Sequence, residues 1–199
     1  MIIYCTKQTM ERYKLKKPNE YKDHIIREVA EKVYEMEKDD RILEWGAKLF
    51  YFDRRKCIQL MNFASKLTII AVDIKINDLE SLGNTIAEYL LYLYEANKEM
   101  TNILERLFEK HPIVIFDKLV DKSIIAYLNR NQSFILDDGY RLYEYIEDNI
   151  LKTRKFNKDI NKIPVMQKIE GKQEYIFPTD RFEELLKNYY TEHMTLYNS

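Results

Sequence analysis

Glycine and proline are scarce in this chain, four of each in 199 residues, where average usage would give roughly 24 together. Few tight turns are available, so helices are expected to outweigh strands. Cysteine is rarer still. Cys5 and Cys57 stand 52 positions apart, with no CxxC pair and no histidine at a metal-ligand spacing, which excludes a disulfide framework and a zinc ribbon. His24, His111 and His193 are scattered as well. Long apolar runs are missing. The N-terminal MIIYC is too short for the core of a signal peptide, and no segment approaches the roughly 18 apolar residues of a spanning helix. An intracellular, reduced, cytoplasmic protein without a membrane partner is the expectation. Charge of one sign is absent too: the formal net charge is -1, which gives no global attraction to nucleic acid or an anionic surface. No phosphate-binding loop, GxGxxG, HExxH or GxSxG occurs, so no cofactor and no metal is expected, and enzymatic activity has no motif behind it.

What is present is an ordinary globular composition, 46% hydrophobic and 33% charged, enough for one α+β domain over residues 1–199. The 16 tyrosines accompany many Lys, Ile and Asn residues. That joint excess reflects an AT-rich coding sequence and is no sign of function by itself.

Along the chain, Ile2 to Cys5 is a short β-branched run with Thr6 as a helix N-cap behind it. Residues 1–22 form a basic arm with six Lys or Arg against two Glu. Tyr21, Ile25, Val29, Val33 and Met36 then recur at helical spacing. The strand period appears in residues 47–52, with further strand-length runs at 57–63 and 67–74. Between the first two, Asp53-Arg54-Arg55-Lys56 lacks the Asn-Gly pair of a primed turn. A four-residue loop on a type I turn is therefore expected, making a β-hairpin with a basic tip. Asn77 with Glu80 predicts a capped long helix that falters at Asn97-Lys98. Ile113 to Phe116 predicts a fourth strand, Asp121 the start of a helix, and Leu142 to Ile150 another helix after Gly139. A second hairpin is expected to turn at Glu170-Gly171, and Asp180 with Glu183 to open the last helix. The fold class is α+β: an antiparallel sheet with the basic-tipped hairpin at its centre, covered by helices.

Several stretches carry a resemblance: IIYCTK, Trp45 before the strand, FDRRKC at the hairpin, Asn62 after it, DLESLGN, SIIAYLN, and IPV…YIFPTDRFEELL. Together the chain resembles, over nearly its whole length, a family of uncharacterised bacterial domains known only as a domain of unknown function. FDRRKC after a tryptophan is the most specific part. That family often has Asn at the position of Lys48 and Thr near Ser65, so a site built on those residues would be altered here. The resemblance implies a bacterial origin and an intracellular setting, and no mechanism.

The candidate contact residues are Arg54, Arg55 and Lys56 at the hairpin tip, with Lys48, Trp45 and Asn62 nearby in sequence. Arginine grips phosphate through a planar fork and lysine as a point charge, and a two-stranded ribbon fits a major groove. The competing reading is a solvated tip whose charges keep it from pairing further. Trp45 reads first as a core anchor and second as a stacking platform. Asn62 and Asn129 read first as turn-bonding side chains. Cys57 sits beside Arg55 and Lys56, which would activate a thiol, yet no base accompanies it, and a core cysteine is the better reading. Residues 152–162 are basic as well (Lys152, Arg154, Lys155, Lys158, Lys162 against Asp159). If the three basic segments met, a nearly neutral chain would have a positive face. The leading expectation is a non-enzymatic binding module whose ligand is nucleic acid or a phosphorylated molecule. The alternatives are an enzyme acting on such a substrate, with the tip as its anion clamp, and a subunit that self-associates into a homo-oligomer.

Overall fold

Four β-branched, aromatic or thiol side chains in a row, Ile2–Cys5, make the first strand, β1. Thr6 stops it and caps α1 (Lys7–Tyr13) by accepting from the Thr9 amide, as the hydroxyl and spacing suggested. The computed structural model describes residues 1–75, 82–136, 142–169 and 171–193. After α1 come α2 (His24–Glu37), the strands β2 (Glu44–Phe52), β3 (Arg55–Asn62) and β4 (Thr68–Val72), then α3 (Leu82–Leu93) and α4 (Lys98–Lys110). The chain continues with β5 (Ile115–Lys118), α5 (Lys122–Leu136), the short strands β6 (Ile146–Glu147) and β7 (Ile150–Leu151), and α6 (Thr153–Ile160). It closes with β8 (Val165–Ile169), β9 (Lys172–Ile176) and α7 (Pro178–His193).

The class is α+β, and the expected β2-β3-β4 meander is antiparallel. The full sheet is mixed, in the order β4-β3-β2-β1-β5, because β1 lies parallel to both β2 and β5. Parallel neighbours need a crossover of a dozen residues or more, and α1 with α2 supplies the one from β1 to β2. Two expectations give way. Leu142 to Tyr145 is a 3-10 turn leading into the small β6–β7 hairpin, in place of a helix. The fourth strand is shifted two residues onward, to Ile115–Lys118. The expected cap at Asn77 and Glu80, Gly139, and the Glu170 half of the second hairpin's turn lie outside the described residues.

Alternation splits the side chains between two faces. On one, Ile3, Trp45, Ala47, Leu49, Ile58, Leu60 and Ile69 form the main core with Ile86, Leu90, Leu104, Leu107, Phe182 and Leu186 of α3, α4 and α7. The other face carries three smaller clusters. Phe50, Phe52, Cys57 and Ile70 meet Phe156 and Ile160 of α6. Met61 and Phe63 meet Ile124 and Leu128 of α5. Ile2 and Ile115 meet Ala30 of α2. Gly46 permits the close approach of α5, since a Cβ there would stand 3.1 Å from Phe63 and 3.3 Å from Leu128.

The outer edge of β4 is closed by side chains. Asn157 Oδ1 accepts from the Ile70 amide at 2.8 Å while its Nδ2 donates to the Ile70 carbonyl at 3.0 Å. Asn161, one helical turn on, does the same for Thr68 at 2.8 and 2.6 Å. Two carboxamides at i and i+4 of α6 thus stand where a further strand would pair, and they blunt a sticky edge.

Candidate functional site at the hairpin end

Phe52 pairs directly with Arg55, leaving only Asp53 and Arg54 in the loop, with φ of 45° and 63°. This is a two-residue turn with both φ positive, the primed geometry whose twist matches the flanking strands. It replaces the four-residue loop expected from the missing Asn-Gly pair. An eight-pair ladder outweighs the left-handed strain of two non-glycine residues. Asp148 and Asn149, φ 51° and 61°, repeat the device at the β6–β7 hairpin.

The tighter turn changes what the three tip cations can do. Arg55 is the first residue of β3, and its guanidinium is engaged by the fold: Nη2 donates to the Asn149 carbonyl at 3.0 Å, and Nη1 lies 3.8 Å from Asp73 Oδ2. It ties the hairpin to the β6–β7 turn and to the end of β4. Arg54 is exposed and Lys56 half-buried, and neither side chain has an ion-pair or hydrogen-bond partner among the described residues. Two tyrosines flank them. Tyr51, 52% exposed, stands opposite Lys56 in the ladder. Tyr143, 60% exposed, lies against Phe52 on the other face, with centroids 4.5 Å apart.

The second basic segment adjoins this end. Leu151 and Phe156 pack with Phe52 and Cys57, which carries Lys152 and Lys155 alongside, although Lys155 is paired with Glu147 at 3.2 Å. The first segment reaches the end of β4, beside the hairpin tip, through Tyr13, whose hydroxyl donates to the Ile74 carbonyl at 3.1 Å.

The remaining candidates lie elsewhere. Trp45 and Asn62 are cross-strand partners at the opposite end of the hairpin, about 25 Å from the tip at roughly 3.3 Å per residue. Trp45 is buried and tilted against Phe182, 6.3 Å between centroids. Asn62 is fully buried. Its Nδ2 donates to the Ile42 carbonyl, and its Oδ1 accepts from the Ala64 and Ser65 amides and the Ser65 hydroxyl. Lys48 lies under α5, donating to Asn129 Oδ1 at 2.6 Å, and burial pushes its pKa down. Cys57 is buried, and burial, with Asp73 nearby, pushes its thiol up to about 12 against the pull of Arg55. It is a core residue.

Sequence spacing did not reveal the polar groups that the fold assembles from distant segments. Gln59 donates to Asn131 Oδ1 at 2.7 Å beneath α5, beside the Lys48–Asn129 pair. At the other end of the sheet, His111 Nδ1 lies 2.7 Å from Glu37 Oε1 and its Nε2 3.1 Å from the Tyr189 hydroxyl. The Met1 ammonium pairs with the same carboxylate. Burial pushes the Glu37 carboxyl up, but the His111 hydrogen bond and the ammonium outweigh it and hold it below its usual range. Both ring nitrogens of His111 are occupied, which suits a structural staple better than a proton shuttle. Partners 74 and 78 positions apart leave no local signal. Among the described residues no group of His, Cys, Asp and Glu is arranged to hold a metal ion.

The family model of a domain of unknown function, DUF6933, matches residues 2–181. The chain belongs to the DUF6933 family. No curated protein matches it, and neither does any solved structure. In this DUF6933 chain the FDRRKC stretch supplies the primed turn, the Arg55 clamp and the buried Cys57. Much of that motif therefore serves the fold, and the cationic side chains it leaves without a partner among the described residues are Arg54 and Lys56.

Proposed function

We propose that this DUF6933 domain is a non-enzymatic binding module that contacts single-stranded nucleic acid through the end of the β2–β3 hairpin. The observation that carries the reading is the flanking of two uncommitted cations, Arg54 and Lys56, by two exposed rings, Tyr51 and Tyr143. Cations that track phosphates beside aromatic faces on which bases stack are the two components of sequence-tolerant single-strand binding. A bacterial, cytoplasmic setting belongs to the same reading. It is supported by two buried free thiols, which suit a reducing compartment. Among the described residues no helix is long and apolar enough to cross a membrane.

The test is fluorescence anisotropy with a labelled 20-nucleotide single strand titrated at several salt concentrations. Two phosphate contacts give a slope of log K against log salt of about -1.4, from roughly 0.7 per contact on a single strand. Arg54→Ala with Lys56→Ala flattens that slope. Tyr51→Ala and Tyr143→Ala each weaken binding by about tenfold or more, the range of one stacked base, without changing the slope. Absence of binding at low salt, or binding untouched by all four substitutions, overturns the reading.

A further inference from the structure

Helix α2 has two apolar faces, and only one of them is used. Asp23 caps the helix through the Ile25 and Ile26 amides. Ala30, Val33 and Tyr34 then turn inward onto Ile2 and Ile115. Ile25 and Met36 are each 72% exposed, Ile26 52% and Val29 45%. At 100° per residue Ile25, Val29, Lys32 and Met36 fall within a strip about 60° wide. Their spacing of four, three and four is that of a coiled-coil seam. A seam of this kind on a free surface calls for a partner helix.

We propose that α2 pairs with α2 of a second copy of this chain, antiparallel and across a two-fold axis that passes between Ala30 and Glu31. The argument for a second copy is the self-complementarity of the strip. In that register Ile25 of one copy meets Met36 of the other at both ends, and Val29 meets Lys32 twice in the middle. Lys32 has no ion-pair partner among the described residues. The pairing brings its ammonium beside Glu28 of the second copy, whose own contact is an exposed 3.8 Å approach to His24. Glu35 flanks the same side. A two-fold interface requires each surface to complement itself, and a lysine set among aliphatics with a carboxylate one turn before it meets that requirement. The aliphatic strip presents about 400 Å² per copy, so two strips with their charged borders approach the roughly 1,000 Å² of a specific interface. A modest area of this kind implies a concentration-dependent dimer.

Sedimentation equilibrium of the full chain tests this, with a mass expected to rise from one chain toward two between about 1 and 100 µM, as for a small interface. Ile25→Lys with Met36→Lys holds the mass at one chain, and the melting temperature at about 1 µM, where the chain is still single, stays unchanged because both side chains are exposed there. Lys32→Glu weakens the dimer at least tenfold, and adding Glu28→Lys restores it by exchanging the two signs across the axis. Arg54→Ala leaves it alone. A chain that remains single throughout the range, or a dimer indifferent to the Ile25 and Met36 changes, overturns the proposal. Failure of Glu28→Lys to rescue Lys32→Glu overturns the antiparallel register.

Discussion

Removing the carboxamide of Asn157 should destabilise the fold more than its size suggests. Its two bonds saturate the amide and the carbonyl of Ile70, and both residues are almost wholly inaccessible to water. Asn157→Ala deletes both partners at once and leaves two buried backbone groups unpaired. At about 1–3 kcal/mol for each orphaned group, with partial relief from any water that enters, the loss should be about 2–4 kcal/mol. That is a large part of the 5–15 kcal/mol typical of a whole domain. Asn157→Asp discriminates between the two bonds. It keeps the acceptor for the Ile70 amide but turns a charged oxygen toward the Ile70 carbonyl, so at neutral pH it should be as damaging as Ala, and less so once the carboxyl protonates. Asn161→Ala should behave like Asn157→Ala at Thr68. The double replacement should cost less than the sum, because once α6 lifts from the edge water reaches both sites. Urea unfolding followed by the fluorescence of Trp45, which is buried in the main core, gives the midpoint directly. A shift equivalent to less than about 0.5 kcal/mol for Asn157→Ala would refute the account of the β4 edge.

Three further outcomes follow from other parts of the molecule. Arg54→Gly should stabilise the domain by about 0.5–1 kcal/mol, since glycine takes positive φ without strain, while weakening single-strand binding; calorimetry and anisotropy on one sample check both. Burial, with Arg41 adding to it, lowers the Lys66 ammonium to about 8. Above that pH the folded form sheds a proton that the unfolded chain keeps until about 10.4, so stability contributed by this group rises between the two values, by up to about 3 kcal/mol. Unfolding at pH 7.5 and pH 10 should show the rise relative to Lys66→Met, and identical pH profiles for the two proteins would count against it. Cys57, inaccessible and with its thiol raised to about 12, should react with a thiol reagent at pH 8 far more slowly in the native than in the urea-unfolded chain, and equal rates would show that it is not buried.

What the sequence disclosed was local. Alternation at 47–52 and the strand-length apolar run at 57–63 placed the hairpin because both signals are written in adjacent residues. Thr6 and Asp121 announced helix starts through a short polar side chain, whereas Asn97, read as a faltering of the long helix, caps a separate one, α4. What remained hidden depends on distant partners. The parallel placement of β1 rests on pairing with residues 44–47 and 115–118, which no local pattern encodes. At the tip, residue type pointed away from a primed turn, and the long ladder decided otherwise. Three adjacent cations read as one patch, yet Arg55 is drawn off by an acceptor 94 positions away. Helical spacing in Ile25, Val29 and Met36 announced a helix correctly but carried no information about which apolar face the sheet would take.

The position of β1 between β2 and β5 also has a consequence for how the protein is made. Its four residues leave the ribosome long before β5, whose Ile115 pairs with Ile2. At about 5–20 residues per second, more than a hundred residues take roughly 6–20 s to follow. The β2–β4 meander closes through short turns, so it can form while translation continues, with β1 against its inner edge and the other side of β1 still unsatisfied. During that interval Ile2, Tyr4 and their backbone are exposed to neighbouring nascent chains. Slowing synthesis anywhere between Glu44 and Ile115 lengthens that exposure, so codon usage in this stretch should influence yield more than codon usage after Lys118.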